Sequence, residues 1–220
     1  NSSSDISPTA AQMPRLLGLA YASKIYRQVS GITNASNFSN EGNEIAWGTI
    51  GNASTSEGVF FETINAAGVL QVPMVMSVWD DEYGISVHAK HQTTKESISE
   101  ILKGYQREKD TNGFEILKVK GWDYADLIAT YQKAEDSARK EHVPVLVHVS
   151  QLTQPQGHSS SGSHERYKST ERLAWEKDFD CIRQMRLWMI AINIASPEEL
   201  DEIDAIAKKE VLEGKKEAWN

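Results

Sequence analysis

The chain has 220 residues, 40% of them apolar, and a formal net charge of −8. That is enough apolar side chain for one α/β core, and the acidic balance argues against nucleic acid or an anionic membrane surface as partner. No apolar run approaches the roughly 20 residues of a membrane span, and a single cysteine, Cys181, excludes an internal disulfide and fits a reducing, cytoplasmic setting. Cys181 sits in an amphipathic segment and reads as core packing. The first residues, Asn1-Ser2-Ser3-Ser4, offer neither an initiator Met nor a signal pattern, so we expect a fragment of a longer polypeptide.

Residues 2–11 are polar and loop-like. Ala11 to Val29 predicts a helix, with Leu16, Leu17, Leu19, Ala20, Ala22 and Ile25 as a wide apolar surface and Gly18 and the alanines permitting close packing. Residues 30–42 are rich in Asn, Ser and Gly and read as a surface loop. Glu44 to Ile50 is apolar enough for a buried strand, and Gly51-Asn52-Ala53 is a turn with few side-chain atoms to block a ligand. Ser54-Thr55-Ser56-Glu57 fits a capping box ahead of a helix carrying Val59, Phe60, Ile64, Ala67 and Leu70. Pro73 follows that helix, and Met74 to Val78 makes the next strand. Strand, helix, strand implies a parallel pair with a right-handed crossover.

Past the acidic turn at Asp80-Asp81, His88 and His91 read as surface or rim residues because no third metal ligand accompanies them. A helix is expected over Ser97–Tyr105, a strand over Phe114–Val119, a helix from Tyr124 to about Lys140 and a strand over Val143–Val149. The β-α alternation predicts a doubly wound, mostly parallel sheet flanked by helices. A Ser/Gly/Gln-rich loop follows over 151–169, then a helix over Trp175–Ala191 whose Met and Trp residues read as core or interface. Ser196-Pro197-Glu198-Glu199 opens a final helix reaching Leu212, whose apolar Leu200, Ile203, Ile206 and Val211 need a partner surface.

A parallel sheet binds its ligand at the carboxyl ends of its strands. Two such ends carry oxygen donors suited to a hard cation: Asn52 after the first strand and Asp81 after the second. The helix beginning beside Asn52 favours a phosphate there. One carboxylate, one amide oxygen, a backbone carbonyl and phosphate oxygens make a usual Mg²⁺ set, so the residues alone read as a Mg-bridged diphosphate site.

This stretch resembles the thiamine-diphosphate motif, Gly-Asp-Gly followed by about 26 residues and Asn-Asn. Here 26 residues, 54–79, separate Gly51-Asn52-Ala53 from Asp80-Asp81. The likeness is to the α-type half of the decarboxylating component of 2-oxoacid dehydrogenase complexes, whose Ser-Glu-Gly helix start and Tyr-x-Ile-Ser strand end are matched at Ser56 and at Tyr83-Gly84-Ile85-Ser86. Asn52 stands where the motif has Asp, and Asp81 where it has Asn, so one carboxylate and one amide remain. The resemblance implies Asn52, Asp81 and the Tyr83 carbonyl as metal ligands, with Gly51 and Ala53 lining the cofactor.

The segment ISPTAAQMP is similar to a family loop whose backbone lies near the cofactor, which adds Ser7 and Thr9. His158-Ser159 and Tyr167-Lys168 match a family loop in which the His faces the reacting carbon, so His158 is the expected catalytic residue. Gln154 stands where the family has a phosphate-contacting Arg.

The resemblance further implies oxidative decarboxylation of a 2-oxo acid, of pyruvate or branched-chain type, with acyl transfer to a lipoyl group. Thiamine diphosphate and Mg²⁺ are the implied cofactors. The implied partners are a pyrimidine-binding β-type domain or chain and a lipoyl-bearing acyltransferase, in a homo- or hetero-oligomer. Residues 1–195 would be the diphosphate-binding domain and 196–220 a helical extension. A transketolase-type ketol transfer and a cofactor-free structural half are the competing readings.

Overall fold

The computed structural model describes residues 8–219. Its strands are β1 (Ala46–Gly51), β2 (Met74–Trp79), a short hairpin of β3 (Tyr83–Gly84) and β4 (Val87–His88), β5 (Glu115–Lys120) and β6 (Val145–Ser150). The helices are α1 (Gln12–Gln28), α2 (Gly58–Leu70), α3 (Ile98–Ile101), α4 (Tyr124–Glu141), α5 (Thr170–Asp178), α6 (Cys181–Ala191) and α7 (Pro197–Trp219). The main sheet has the order β1-β2-β6-β5, parallel at every pairing.

Right-handed crossovers explain the layering. Two steps run one way across the sheet, from β1 to β2 and from β2 out to β5. They put α2 and α3 on one face. The return from β5 to β6 puts α4 on the other. Strand alternation then divides the core. Met74, Met76 and Val78 of β2 and Leu146 of β6 pack with α1, α2 and α3, whereas Val75, Val145, Val147 and Val149 pack with Ala134 and Ala138 of α4. Full burial of Phe60 and Ile64 on α2 stabilises the first cluster by about 1.5–3 kcal/mol each. The connections step outward from β1 through β2 to β5 and back to β6, and the carboxyl ends of the parallel strands β1, β2 and β6 open on one edge.

Several expectations are corrected. The first strand is an edge strand, with Ala46 and Ile50 inward and Trp47 46% exposed, because only β2 and β6 have neighbours on both sides. The capping box does not form: Ala53–Ser56 is a 3-10 turn, and α2 starts at Gly58 with no side-chain bond from its N-cap, Glu57. Thr55 instead donates its hydroxyl to the Asn52 carbonyl at 2.6 Å, which tightens the turn. On α1 the buried residues are Met13, Leu16, Ala20 and Ser23, whereas Leu19 points outward. Close approach of α1 to the sheet depends on Gly48, where a Cβ would lie 2.6 Å from Leu16, while Gly18 faces open space.

The helix expected over Ser97–Tyr105 is one α turn and a 3-10 turn. The helix expected over Trp175–Ala191 is two, broken at Phe179 and Asp180. Asp180 caps α6 by accepting from the Arg183 N–H, and Phe179 turns in to stack on Trp175 and meet Trp122. Cys181 is half-buried beside Thr153 rather than in the core. The final helix runs on to Trp219. Leu200 is buried, while Ile203, Ile206 and Val211 face outward.

Candidate functional site

A cavity of about 690 Å³ lies at the carboxyl ends of β1, β2 and β6. Its lining includes Thr9, Gly51, Asn52, Ala53, Asp81, Tyr83, Gln154 and His158, eight residues singled out from the sequence across nearly 150 positions. Ser7 lies outside the described residues. Trp79, Ile85, Gln92 and Leu152, which the sequence did not single out, complete much of the wall.

Three segments build it. The first is the β1 end and the 3-10 turn after it, whose first N–H groups have no partner within the turn. The second is the Asp80–Tyr83 turn, in which Glu82 adopts a left-handed φ of 69°. Asp80 Oδ1 accepts from the Glu82 N–H at 2.8 Å and Asp81 Oδ1 from the Tyr83 N–H at 3.1 Å. Ile85, in the β3–β4 turn, holds a φ of 58°, a costly conformation for a β-branched residue. The third is the segment after β6, tied back by the Leu152 N–H donating to the Asp80 carbonyl at 3.0 Å.

The electrostatics centre on Asp81. It is 9% exposed, and burial, opposed by the Tyr83 N–H and by Lys168, pushes its carboxyl above the ordinary range. Gln154 donates its side-chain N–H to Asp81 Oδ2 at 2.6 Å, joining the second and third segments. Gln154 thus binds the acid of the turn, a contact that an Arg-for-Gln comparison gave no reason to expect. Asn52 is buried and its Nδ2 has no hydrogen-bond partner. The Asp81 carboxylate and the Asn52 amide oxygen, which line the same cavity, are oxygen donors of the kind a hard cation takes, while the unpartnered Asn52 Nδ2–H suits an anionic oxygen such as that of a phosphate. Among the described residues no three His, Cys, Asp or Glu side chains are grouped to hold a metal. A cation here would therefore draw on Asn52, Asp81, a main-chain carbonyl such as that of Tyr83, and oxygens of its own ligand.

His158 stands exposed at the rim. Its Nδ1 is held by the Ser160 hydroxyl at 2.9 Å and N–H at 3.2 Å, which leaves Nε2 as the nitrogen free to exchange a proton. Below the turn, Lys168 bonds both Glu176 oxygens at 2.7 and 3.0 Å. Arg172 donates to Glu176, to Glu82 and, at 3.0 Å, to the Asp81 carbonyl. Both cations lie near the Tyr83 ring, at 4.9 and 5.7 Å from its centroid. The sequence reading missed this network because it began the helix at Trp175. The Arg172–Glu176 spacing of i,i+4 behind Ser169, which caps α5, was the available signal.

The chain is 25% identical over 209 residues to the 2-oxoisovalerate dehydrogenase subunit alpha 1, mitochondrial, of Arabidopsis thaliana, covering 94% of this chain and 39% of that protein. It is 26% identical over 208 residues to the Bacillus subtilis 2-oxoisovalerate dehydrogenase subunit alpha, covering 92% and 56%. It is 24% identical over 203 residues to the pyruvate dehydrogenase E1 component subunit alpha of Rickettsia bellii, covering 92% and 55%. The chain thus spans about half the length, or less, of these curated relatives. The model of the dehydrogenase E1 component family matches residues 4–220. With nearly its whole length matched, the chain belongs to the dehydrogenase E1 component family.

Proposed function

We propose that this chain is the diphosphate- and Mg²⁺-binding part of a thiamine-diphosphate-dependent 2-oxoacid dehydrogenase acting on pyruvate or a branched-chain 2-oxo acid. The observation that carries the reading is the convergence of Asn52, Asp81 and His158, from three separate strand ends, on one cavity. In this reading Asn52, Asp81 and the Tyr83 carbonyl hold the cation, and Gly51 and Ala53 leave room for the diphosphate. Gln154 fixes the Asp81 carboxylate, and Thr9 lines the same cavity; Ser7 joins it in this reading on the family resemblance alone. Thiamine diphosphate, when bound, supplies the electron sink for decarboxylation. The protein's share is to position it, to balance charge and to move a proton at His158 Nε2.

Residues 1–195 form the diphosphate-binding half in this proposal and residues 196–220 its extension. A β-type half holding the pyrimidine completes the site, and a lipoyl-bearing acyltransferase receives the acyl group. The relatives named as alpha subunits support such a division of labour.

The test uses the full-length protein assembled with its complementary half. Calorimetry should show thiamine diphosphate binding that requires Mg²⁺ and is lost in Asp81→Ala. Ferricyanide-coupled decarboxylation should be seen with pyruvate or branched-chain 2-oxo acids. His158→Ala should cut reductive acylation far more than cofactor binding. Absence of Mg-dependent binding, or ketol transfer in place of decarboxylation, overturns the proposal.

A further inference from the structure

Behind the cavity lies a buried polar chain that the proposed chemistry does not use. His148 of β6 is 1% exposed, Asp80 5% and Ser99 of α3 7%. His148 Nε2 lies 2.8 Å from Asp80 Oδ2, and its Nδ1 lies 2.8 Å from the Ser99 hydroxyl. A carboxylate only accepts, so Nε2–H donates to Asp80, and Ser99 serves the other nitrogen.

Asp80 is held at four points. Its other carboxylate oxygen accepts from the Glu82 N–H at 2.8 Å, its N–H donates to the Val149 carbonyl at 2.9 Å, and its carbonyl accepts from the Leu152 N–H at 3.0 Å. Asp80 therefore joins the Asp81–Tyr83 turn to the segment carrying Gln154. Asp81 faces the first cavity, whereas Asp80 and His148 line a second cavity of about 480 Å³. The support comes from the far side.

His148 shares its face of β6 with buried Leu146, whereas Val145, Val147 and Val149 point to the α4 face, and the imidazole is itself almost wholly withdrawn from solvent. An imidazole buried to this degree is costly unless both nitrogens are bonded. Both are, and the Nε2 bond leads straight to the turn. We propose that His148 is a positioning residue: braced by Ser99, it holds Asp80 and through it sets the orientation of Asp81 and of the Gln154 segment. Groups that orient a metal ligand without touching the metal act in this way. The inference rests on the thiamine-diphosphate reading.

The test is Mn²⁺ binding, followed by electron paramagnetic resonance in the presence of thiamine diphosphate, in the full-length protein assembled with its complementary half. His148→Leu should weaken Mn²⁺ binding by about tenfold or more. His148→Gln, whose side-chain N–H can still donate to Asp80, should restore most of it, and Ser99→Ala should weaken it less. Val147→Ala, on the α4 face of the same strand, should lower the melting temperature and leave Mn²⁺ affinity unchanged. Wild-type affinity in a folded His148→Leu protein overturns the proposal, as does equal loss in His148→Gln and His148→Leu. Where His148→Leu yields no folded protein, Ser99→Ala decides, and unchanged affinity there overturns it. A wild-type assembly that holds no Mn²⁺ overturns the thiamine reading itself, and this proposal with it.

Discussion

Glu176 is the carboxylate on which two cations converge, and replacing it by Gln is the most decisive perturbation of the network under the Asp81 turn. Lys168 and Glu176 have side-chain exposures of 1% and 4%, so neither charge is shared with solvent. Lys168 bonds both carboxylate oxygens, and Arg172 Nε reaches the first at 2.8 Å. Glu176→Gln keeps the shape but removes the charge and turns one acceptor into a donor facing donors. Breaking one partner of a buried pair costs about 3–5 kcal/mol, because the other is left uncompensated. At about 2–4 °C per kcal/mol for a chain of this length, the melting temperature should fall by about 6–20 °C.

Thermal unfolding followed by circular dichroism measures this, and the double variant Lys168→Met/Glu176→Leu supplies the control. With both charges gone, Arg172 keeps Glu82 and the Asp81 carbonyl, so the double variant should melt above Glu176→Gln. A Glu176→Gln protein that melts with the wild type refutes the reasoning. So does a double variant whose loss equals the sum of the losses in Lys168→Met and Glu176→Leu made singly.

Three further outcomes are expected. In Gly84→Ala the new Cβ would collide with the Gln92 amide and lie 2.6 Å from the Ala53 Cβ. This should cost about 1–3 kcal/mol and weaken cofactor binding by parting the hairpin from the Asn52 turn, as melting and calorimetry would report. Asp123 caps α4 by accepting from the Asp126 N–H, so Asp123→Ala should cost about 1 kcal/mol in denaturant unfolding. Buried His142, at the left-handed end of α4, has its pKa lowered by burial first and by Arg27 and Lys24 as well. The unfolded chain then takes up the proton more readily than the native state, so stability should fall as the pH drops below about 6.5. His142→Asn, which tolerates the left-handed conformation, should flatten that slope in melting curves taken across pH.

The alternation of strand and helix, the parallel pairing of β1 with β2 and the two strand tips bearing Asn52 and Asp81 were all legible in the sequence. The reason is local. Periodicity, turn residues and the 26-residue gap each depend on neighbours in the chain. Tertiary structure alone decided which strands are central. Their order follows from where the long connection between β2 and β5 lands, so the similar apolar runs of β1 and β2 end as edge and core. The break at Asp180 was hidden because Phe179 satisfies a helical pattern as well as it satisfies the aromatic contacts with Trp122 and Trp175. The pairings of Gln154 with Asp81, His148 with Asp80, and Arg172 with Glu82 join residues 68–90 positions apart. No spacing rule reaches that far. The chain specifies the residues locally, while the crossovers bring them within hydrogen-bond distance.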